Sequence, residues 1–251
     1  MSKIVLVTGA TSGFGKATAE IFASNNYNVI ITGRRKERLE ELKKELEEKY
    51  GVKIHSLCFD VRNREDAFSS ISGLPDEWKT IDVLVNNAGL AAGRDHFDEA
   101  SMEDWENMLD TNVKGLLYVS KAVLPFMTER KKGHIINLGS TAAKEVYEKG
   151  NVYCATKHAV DAISQSMRID LLKHKIKVTA IHPGAAETEF SMVRFKGDKS
   201  QADKIYEGYQ PLTAEDVANV IYYTTTLPEH VCINDLVLTC LSQANSFYTY
   251  K

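Results

Sequence analysis

Short apolar, β-branched runs alternate with longer amphipathic stretches along the chain. The runs are KIVLVT (3–8), NVIIT (28–32), KIHSLCF (53–59), IDVLVN (81–86), HIINLG (134–139), KVTAIH (177–182) and INDLVLT (233–239). Apolar residues fall at successive positions in most of them, which marks strands covered on both faces. Between them the period changes. In residues 36–50, Leu39, Leu42 and Leu46 form one stripe, and the Glu and Lys around them form a solvated face. Alternation of this kind predicts an α/β fold: a doubly wound, seven-stranded parallel sheet with helices on both faces. No repeat, linker or break in composition divides the 251 residues, so a single domain over 1–251 is expected.

Right-handed crossovers bring the C-terminal ends of such strands to one edge, where ligands bind. The segments after the runs are TGATSGFG, TGRR, DVR, NNAG, GSTAA and HPGAAET. All are rich in residues that turn the backbone and offer hydrogen bonds.

The first segment is Thr8-Gly9-Ala10-Thr11-Ser12-Gly13-Phe14-Gly15. Glycines here let the backbone turn and approach a ligand, and the helix that follows offers free N–H groups to a pyrophosphate. Dinucleotide binding on a Rossmann-type sheet follows, with Gly9, Thr11, Ser12, Gly13, Phe14 and Gly15 as the cradle. The second strand ends without the carboxylate that would bond a ribose 2′-hydroxyl. It carries Arg34 and Arg35 instead, which suit a 2′-phosphate and favour NADP(H). Asp60 and Val61 are expected beside the adenine, and Asn87, Ala88 and Gly89 along the adenosine side.

Composition narrows the field. Formal net charge is −3 and hydrophobic residues make up 43%, so no basic excess invites nucleic acid or an anionic membrane. No apolar run approaches the ~20 residues of a membrane span. The N-terminus reaches glycine too early for a signal peptide, and a cytoplasmic location is expected. Cys58, Cys154, Cys232 and Cys240 show no metal-ligand spacing, and no metal is expected.

Tyr153 and Lys157 stand four positions apart in NVYCATKHA, one turn apart on a helix face. Together with TGATSGFG, NNAG, a serine after the fifth strand and HPG, they make the chain resemble the short-chain dehydrogenase/reductase family over essentially its whole length. Within it the chain is most similar to the NADP-dependent 3-hydroxy acid and serine 3-dehydrogenases, in segments such as TGRRKERLEELK, DTNVKGLLYVSKAVLP and TEFSMVRFKGD.

The resemblance implies a catalytic tetrad of Asn112, Ser140, Tyr153 and Lys157. Tyr153 would be base in oxidation and acid in reduction, although a free phenol has a pKa near 10. A cation ~5 Å away at an effective dielectric near 20 favours the phenolate by about 3 kcal/mol, and burial opposes it. The cation is expected to win with Lys157 charged and an oxidised nicotinamide bound. Lys157 would also hold the nicotinamide ribose. Ser140 would donate to the substrate oxygen, and Asn112 would shape a proton path to Lys157. Pro183, Gly184 and Thr188 would face the nicotinamide.

Residues from about 186 to 210 read as a flap over the substrate, with Arg194 as the candidate clamp for a substrate carboxylate. The expected activity is hydride transfer between NADP(H) and a small 3-hydroxy acid of the serine or 3-hydroxyisobutyrate type. A general reductase of small ketones and aldehydes, and a non-catalytic NADPH sensor, are the alternatives. A homotetramer or homodimer is implied by the resemblance, with the stripe Val160, Ile163, Met167 and Leu171 partly at the interface.

Overall fold

The computed structural model describes residues 2–251. Seven strands form one all-parallel sheet: β1 (Ile4–Val7), β2 (Asn28–Gly33), β3 (Ile54–Cys58), β4 (Ile81–Asn86), β5 (Gly133–Leu138), β6 (Ile176–Pro183) and β7 (Asp235–Leu238). Their order across the sheet is β3-β2-β1-β4-β5-β6-β7. Chain direction across the sheet reverses between β1 and β4, and the cleft lies over the C-terminal ends of the strands around this switch point.

Alternate residues of each strand feed opposite cores, as the pleat requires. Val5 and Val7 join Phe22, Leu39, Leu46, Val217 and Ile221 on one face, beneath α1 (Gly13–Ser24), α2 (Lys36–Tyr50) and a late helix, Ala214–Thr226. Ile4 and Leu6 join Ile71, Val123, Met127 and Ile135 on the other, beneath α3 (Arg64–Ser72) and a helix at Leu116–Arg130. The central strand β1 is buried at all four positions, so its continuous apolar run is explained by two packed faces.

Four more helices complete the order. α4 (Met102–Leu109) passes through a wide π-helical turn at Asp110–Gly115 into α5, the helix Leu116–Arg130. The long α6 (Asn151–Asp170) packs on β5 and β6. α7 (Glu189–Arg194) and α8 (Lys199–Tyr206) follow β6, and the late helix Ala214–Thr226 is α9. Among the described residues no helix is long and apolar enough to cross a membrane.

Candidate active site

The segments that the pattern placed at the strand ends line one cleft of about 1120 Å³. This is at the upper end of small-molecule pockets and suits a dinucleotide with a small substrate beside it. Gly9, Thr11, Ser12, Gly13, Phe14, Arg34, Arg35, Asp60, Val61, Asn87, Ala88, Gly89, Ser140, Tyr153, Lys157, Pro183, Gly184, Thr188 and Arg194 all border it. Of the expected site residues only Gly15 and Asn112 stand behind its wall.

Gly15 is nonetheless explained by the wall. A Cβ there would collide with the Gly9 carbonyl oxygen, so the residue lets the first helical turn close onto the loop. Gly9 itself has φ +66°, in the left-handed region. The loop is bolted to the segment after β4. Thr8 Oγ1 accepts from the backbone N–H groups of Asn87 (3.0 Å) and Ala88 (2.9 Å), and Asn87 Nδ2 donates to the Thr8 carbonyl at 2.8 Å. Thr8 was missed by the sequence reading, although it stands directly before the first glycine.

The arginines after β2 part company. Arg35 donates to the hydroxyls of Thr11 (2.7 Å) and Ser12 (3.2 Å), so its guanidinium lies flat against the glycine loop. Arg34 turns to Asp60, 3.7 Å away, and is more exposed. Its charged partner is thus not one that Arg35 uses. Arg38, one helical turn after Arg35, reaches the same ground through Glu189 at 3.2 Å. The i, i+3 spacing of Arg35 and Arg38 was the available signal.

α6 supplies Tyr153 and Lys157, both buried. Lys157 Nζ donates to the Leu138 carbonyl at 2.9 Å and lies 5.9 Å from the Tyr153 ring centre. Ser140 starts the turn after β5 and accepts from the Ala142 N–H at 3.1 Å, and its side chain helps to lower the Tyr153 pKa. Asn112 sits in the π-helical turn, where one extra residue swings it inward. Its Oδ1 accepts from Leu90 N–H (2.8 Å), and its Nδ2 donates to the Leu90 carbonyl (2.8 Å) and Thr156 Oγ1 (3.0 Å). The side chain therefore joins the segment after β4 to α6. Gly89 brings both groups close: a Cβ there would stand 3.3 Å from Asn112 Oδ1 and 3.6 Å from Lys157 Nζ.

Electrostatics depart from the simple expectation of an ammonium acidifying a phenol. With protein groups alone around it, Tyr153 is pushed above the ordinary tyrosine range, chiefly by burial and then by Tyr147. Ser140 and Arg194 pull it back. Burial also lowers Lys157, to about 8. Desolvation thus outweighs the protein's own cations here. The phenolate is expected to win only with the charge of an oxidised nicotinamide beside it, and with protein groups alone the balance tips the other way.

Arg194 ends α7 and reaches this centre from the far side. Its guanidinium carbon is 5.5 Å from the Tyr153 ring centre, and one terminal nitrogen donates to Tyr147 Oη at 3.1 Å. Its Nε is buried without a hydrogen-bond partner. Tyr147 was not foreseen, since its loop, KEVYEKG, carries no periodic signal. Thr188, expected at the nicotinamide, borders the cleft and also caps α7 by accepting from Phe190 N–H at 3.2 Å.

Residues 3–199 match the short chain dehydrogenase family. The chain belongs to that family. It is 50% identical over 242 residues to the NADP-dependent 3-hydroxy acid dehydrogenase YdfG of Salmonella typhi, covering 96% of both chains. It is 45% identical over 252 residues to the serine 3-dehydrogenase of Rhizobium radiobacter, covering 100% of this chain and 99% of that one. Its fold is similar to the closed form of serine dehydrogenase complexed with NADP+, with a TM-score of 0.92, 49% identity and 99% of each chain covered. The short-chain dehydrogenase fold accounts for the sheet order, the glycine loop and the position of α6.

Proposed function

We propose that the protein is an NADP(H)-dependent dehydrogenase of small 3-hydroxy acids. The observation that carries the substrate class is Arg194, a half-buried side chain whose buried Nε has no hydrogen-bond partner and whose guanidinium lies beside Tyr153. A hydroxy acid is a short molecule with an alcohol to oxidise and a carboxylate to anchor. Tyr153 suits the first and Arg194 the second. The similarity to 3-hydroxy acid and serine dehydrogenases supports the same reading.

The cleft fits the cofactor by its own construction. Gly15 keeps the floor free of a Cβ, and Arg35 is already oriented by Thr11 and Ser12. Gly9, Thr11, Ser12, Gly13, Phe14 and Gly15 would cradle the pyrophosphate, and Arg35 with Arg38 and Arg34 the 2′-phosphate. Asp60, Val61, Asn87, Ala88 and Gly89 would flank the adenosine, with Pro183, Gly184 and Thr188 at the nicotinamide end. When bound, the nicotinamide accepts or donates the hydride.

The chain's own residues handle the proton and the substrate. Tyr153 takes the alcohol proton in oxidation and returns it in reduction. Ser140 hydrogen-bonds the substrate oxygen as charge grows there. Lys157 holds the ribose and relays the proton outward, and Asn112 keeps the Leu90 backbone and α6 in register around that path. Segment 186–210, with α7 and α8, acts as the flap that brings Arg194 over the substrate.

We place the enzyme in the cytoplasm as a homotetramer or homodimer. All four cysteines are free, and Ile169 and Leu172 expose large apolar side chains at the end of α6. Analytical ultracentrifugation tests the assembly.

The substrate test is a panel. NADP+ is mixed with the enzyme and serine, 3-hydroxyisobutyrate, other 3-hydroxy acids, or neutral alcohols of the same length. The expected result is NADP+ reduction with the acids at a far higher kcat/KM than with the neutral analogues. Equal rates for both would favour a general carbonyl reductase, and no turnover with any would contradict the proposal.

A further inference from the structure

The first residue of α7, Glu189, stands on the arginines assigned above to the 2′-phosphate. Its Oε2 is 3.5 Å from Arg35 Nη1, and its Oε1 is 3.2 Å from Arg38 Nη1. Arg35 is held on its other edge by Thr11 and Ser12, so it cannot turn away without giving up the glycine loop. The neighbouring Thr188 packs against that loop as well: a Cβ on Gly13 would stand 3.5 Å from the Thr188 Cβ. Helix α7 therefore starts directly on the loop, and its leading carboxylate has two guanidinium groups for partners. All of Arg34, Arg35 and Glu189 border the same cleft.

We propose that Glu189 is a specificity-determining residue: its carboxylate holds the arginine pair in the free protein and yields it to the 2′-phosphate of NADP(H). This rests on the reading that NADP(H) is the cofactor and that Arg35 and Arg38 receive its 2′-phosphate. Two anions on one guanidinium pair repel each other, so the carboxylate weakens binding of the phosphorylated cofactor. NAD(H) brings no phosphate to this ground and does not meet that opposition. Glu189 thereby narrows the margin by which NADP(H) is preferred. Because Glu189 begins α7 and Arg194 ends it, the same exchange loosens the arginine tie at the start of the segment that carries Arg194.

The test compares wild type with Glu189→Gln, which keeps size and removes charge. Dissociation constants are measured for NADPH, NADH, 2′,5′-ADP and 5′-ADP, at low and high salt. Glu189→Gln is expected to bind NADPH and 2′,5′-ADP about three- to tenfold more tightly at low salt, the scale of two half-exposed ion pairs. NADH and 5′-ADP are expected to bind unchanged, and the NADPH gain is expected to shrink at high salt. Unchanged or weaker NADPH binding by a folded Glu189→Gln protein would overturn the proposal, since Glu189 would then be inert or would preorganise the arginines. Glu189→Ala serves the same comparison if the glutamine variant misfolds, as the residue is half exposed. Arg35→Ala and Arg38→Ala separate the two layers. If they leave the NADPH preference intact, the phosphate assignment itself fails. If they abolish it while Glu189→Gln changes nothing, only the exchange fails.

Discussion

The guanidinium of Arg194 lies 5.5 Å from the ring centre of Tyr153, although the two residues sit on different helices forty-one positions apart. Lys157 is at 5.9 Å from the same ring, so a cation stands near the phenol from each of two elements. Only Arg194, which ends α7, depends on how the segment after β6 folds back. The proposed acid/base residue and the proposed substrate clamp therefore lie side by side.

Arg194→Ala is expected to lower kcat/KM for a 3-hydroxy acid by about 10- to 100-fold, the value of a charge-assisted hydrogen bond. Most of the loss should lie in KM. Neutral alcohols should change little. Because Arg194 also lowers the Tyr153 pKa, the limb of the kcat profile that reports Tyr153 should move to higher pH in the variant. A profile that stays in place would separate Arg194 from the phenol.

Lys157 carries a cost that unfolding measurements can read. Burial lowers it from 10.5 to about 8 in the folded chain. The charged form is thus disfavoured by folding, and the full penalty applies below pH 8 and disappears as pH rises toward 10.5. Lys157→Met without cofactor should be more stable than wild type at pH 7 by on the order of 3 kcal/mol. The advantage should close as pH rises from 8 to 10.5, while turnover is lost throughout. Urea unfolding across that range checks both the sign and the window.

His134 gives the opposite limb. It is buried in β5, its Nε2 lies 2.7 Å from Thr179 Oγ1, and burial lowers its pKa from 6.5 to about 3. Folding requires the neutral ring, so the unfolded chain takes up the proton first as pH falls. Stability is present above pH 6.5 and drains away down to about pH 3. This one residue should contribute a slope of about 1.4 kcal/mol per pH unit, which His134→Gln removes. Acid unfolding that is equally steep in the variant would show that other groups set the limb.

The sheet was legible because a parallel strand buried on both faces has little choice but a continuous apolar run, as in Ile4–Val7. The glycine loop was legible for a similar reason: Gly15 packs on Gly9 so closely that no other side chain fits. Tyr153 and Lys157 were legible as neighbours, since one helical turn fixes their spacing. Their protonation balance was not. It depends on how deeply α6 is buried and on Tyr147 and Arg194, which arrive from a loop and from the end of α7. The π-helical turn at Asn112 was also hidden, because DTNVKG shows no break in helical composition. Nothing in the sequence pairs Glu189 with Arg35 and Arg38, and only the tertiary fold sets it on them.

Tyr153 is proposed to move the alcohol proton beside a bound nicotinamide. Tyr153→Phe keeps the ring and its packing and removes only the hydroxyl, so the decisive measurement is its kcat set against its NADPH dissociation constant. Turnover is expected to fall by at least about 10³-fold, with NADPH binding within a few-fold of wild type. Near-normal kcat in a protein that still binds NADPH would contradict it.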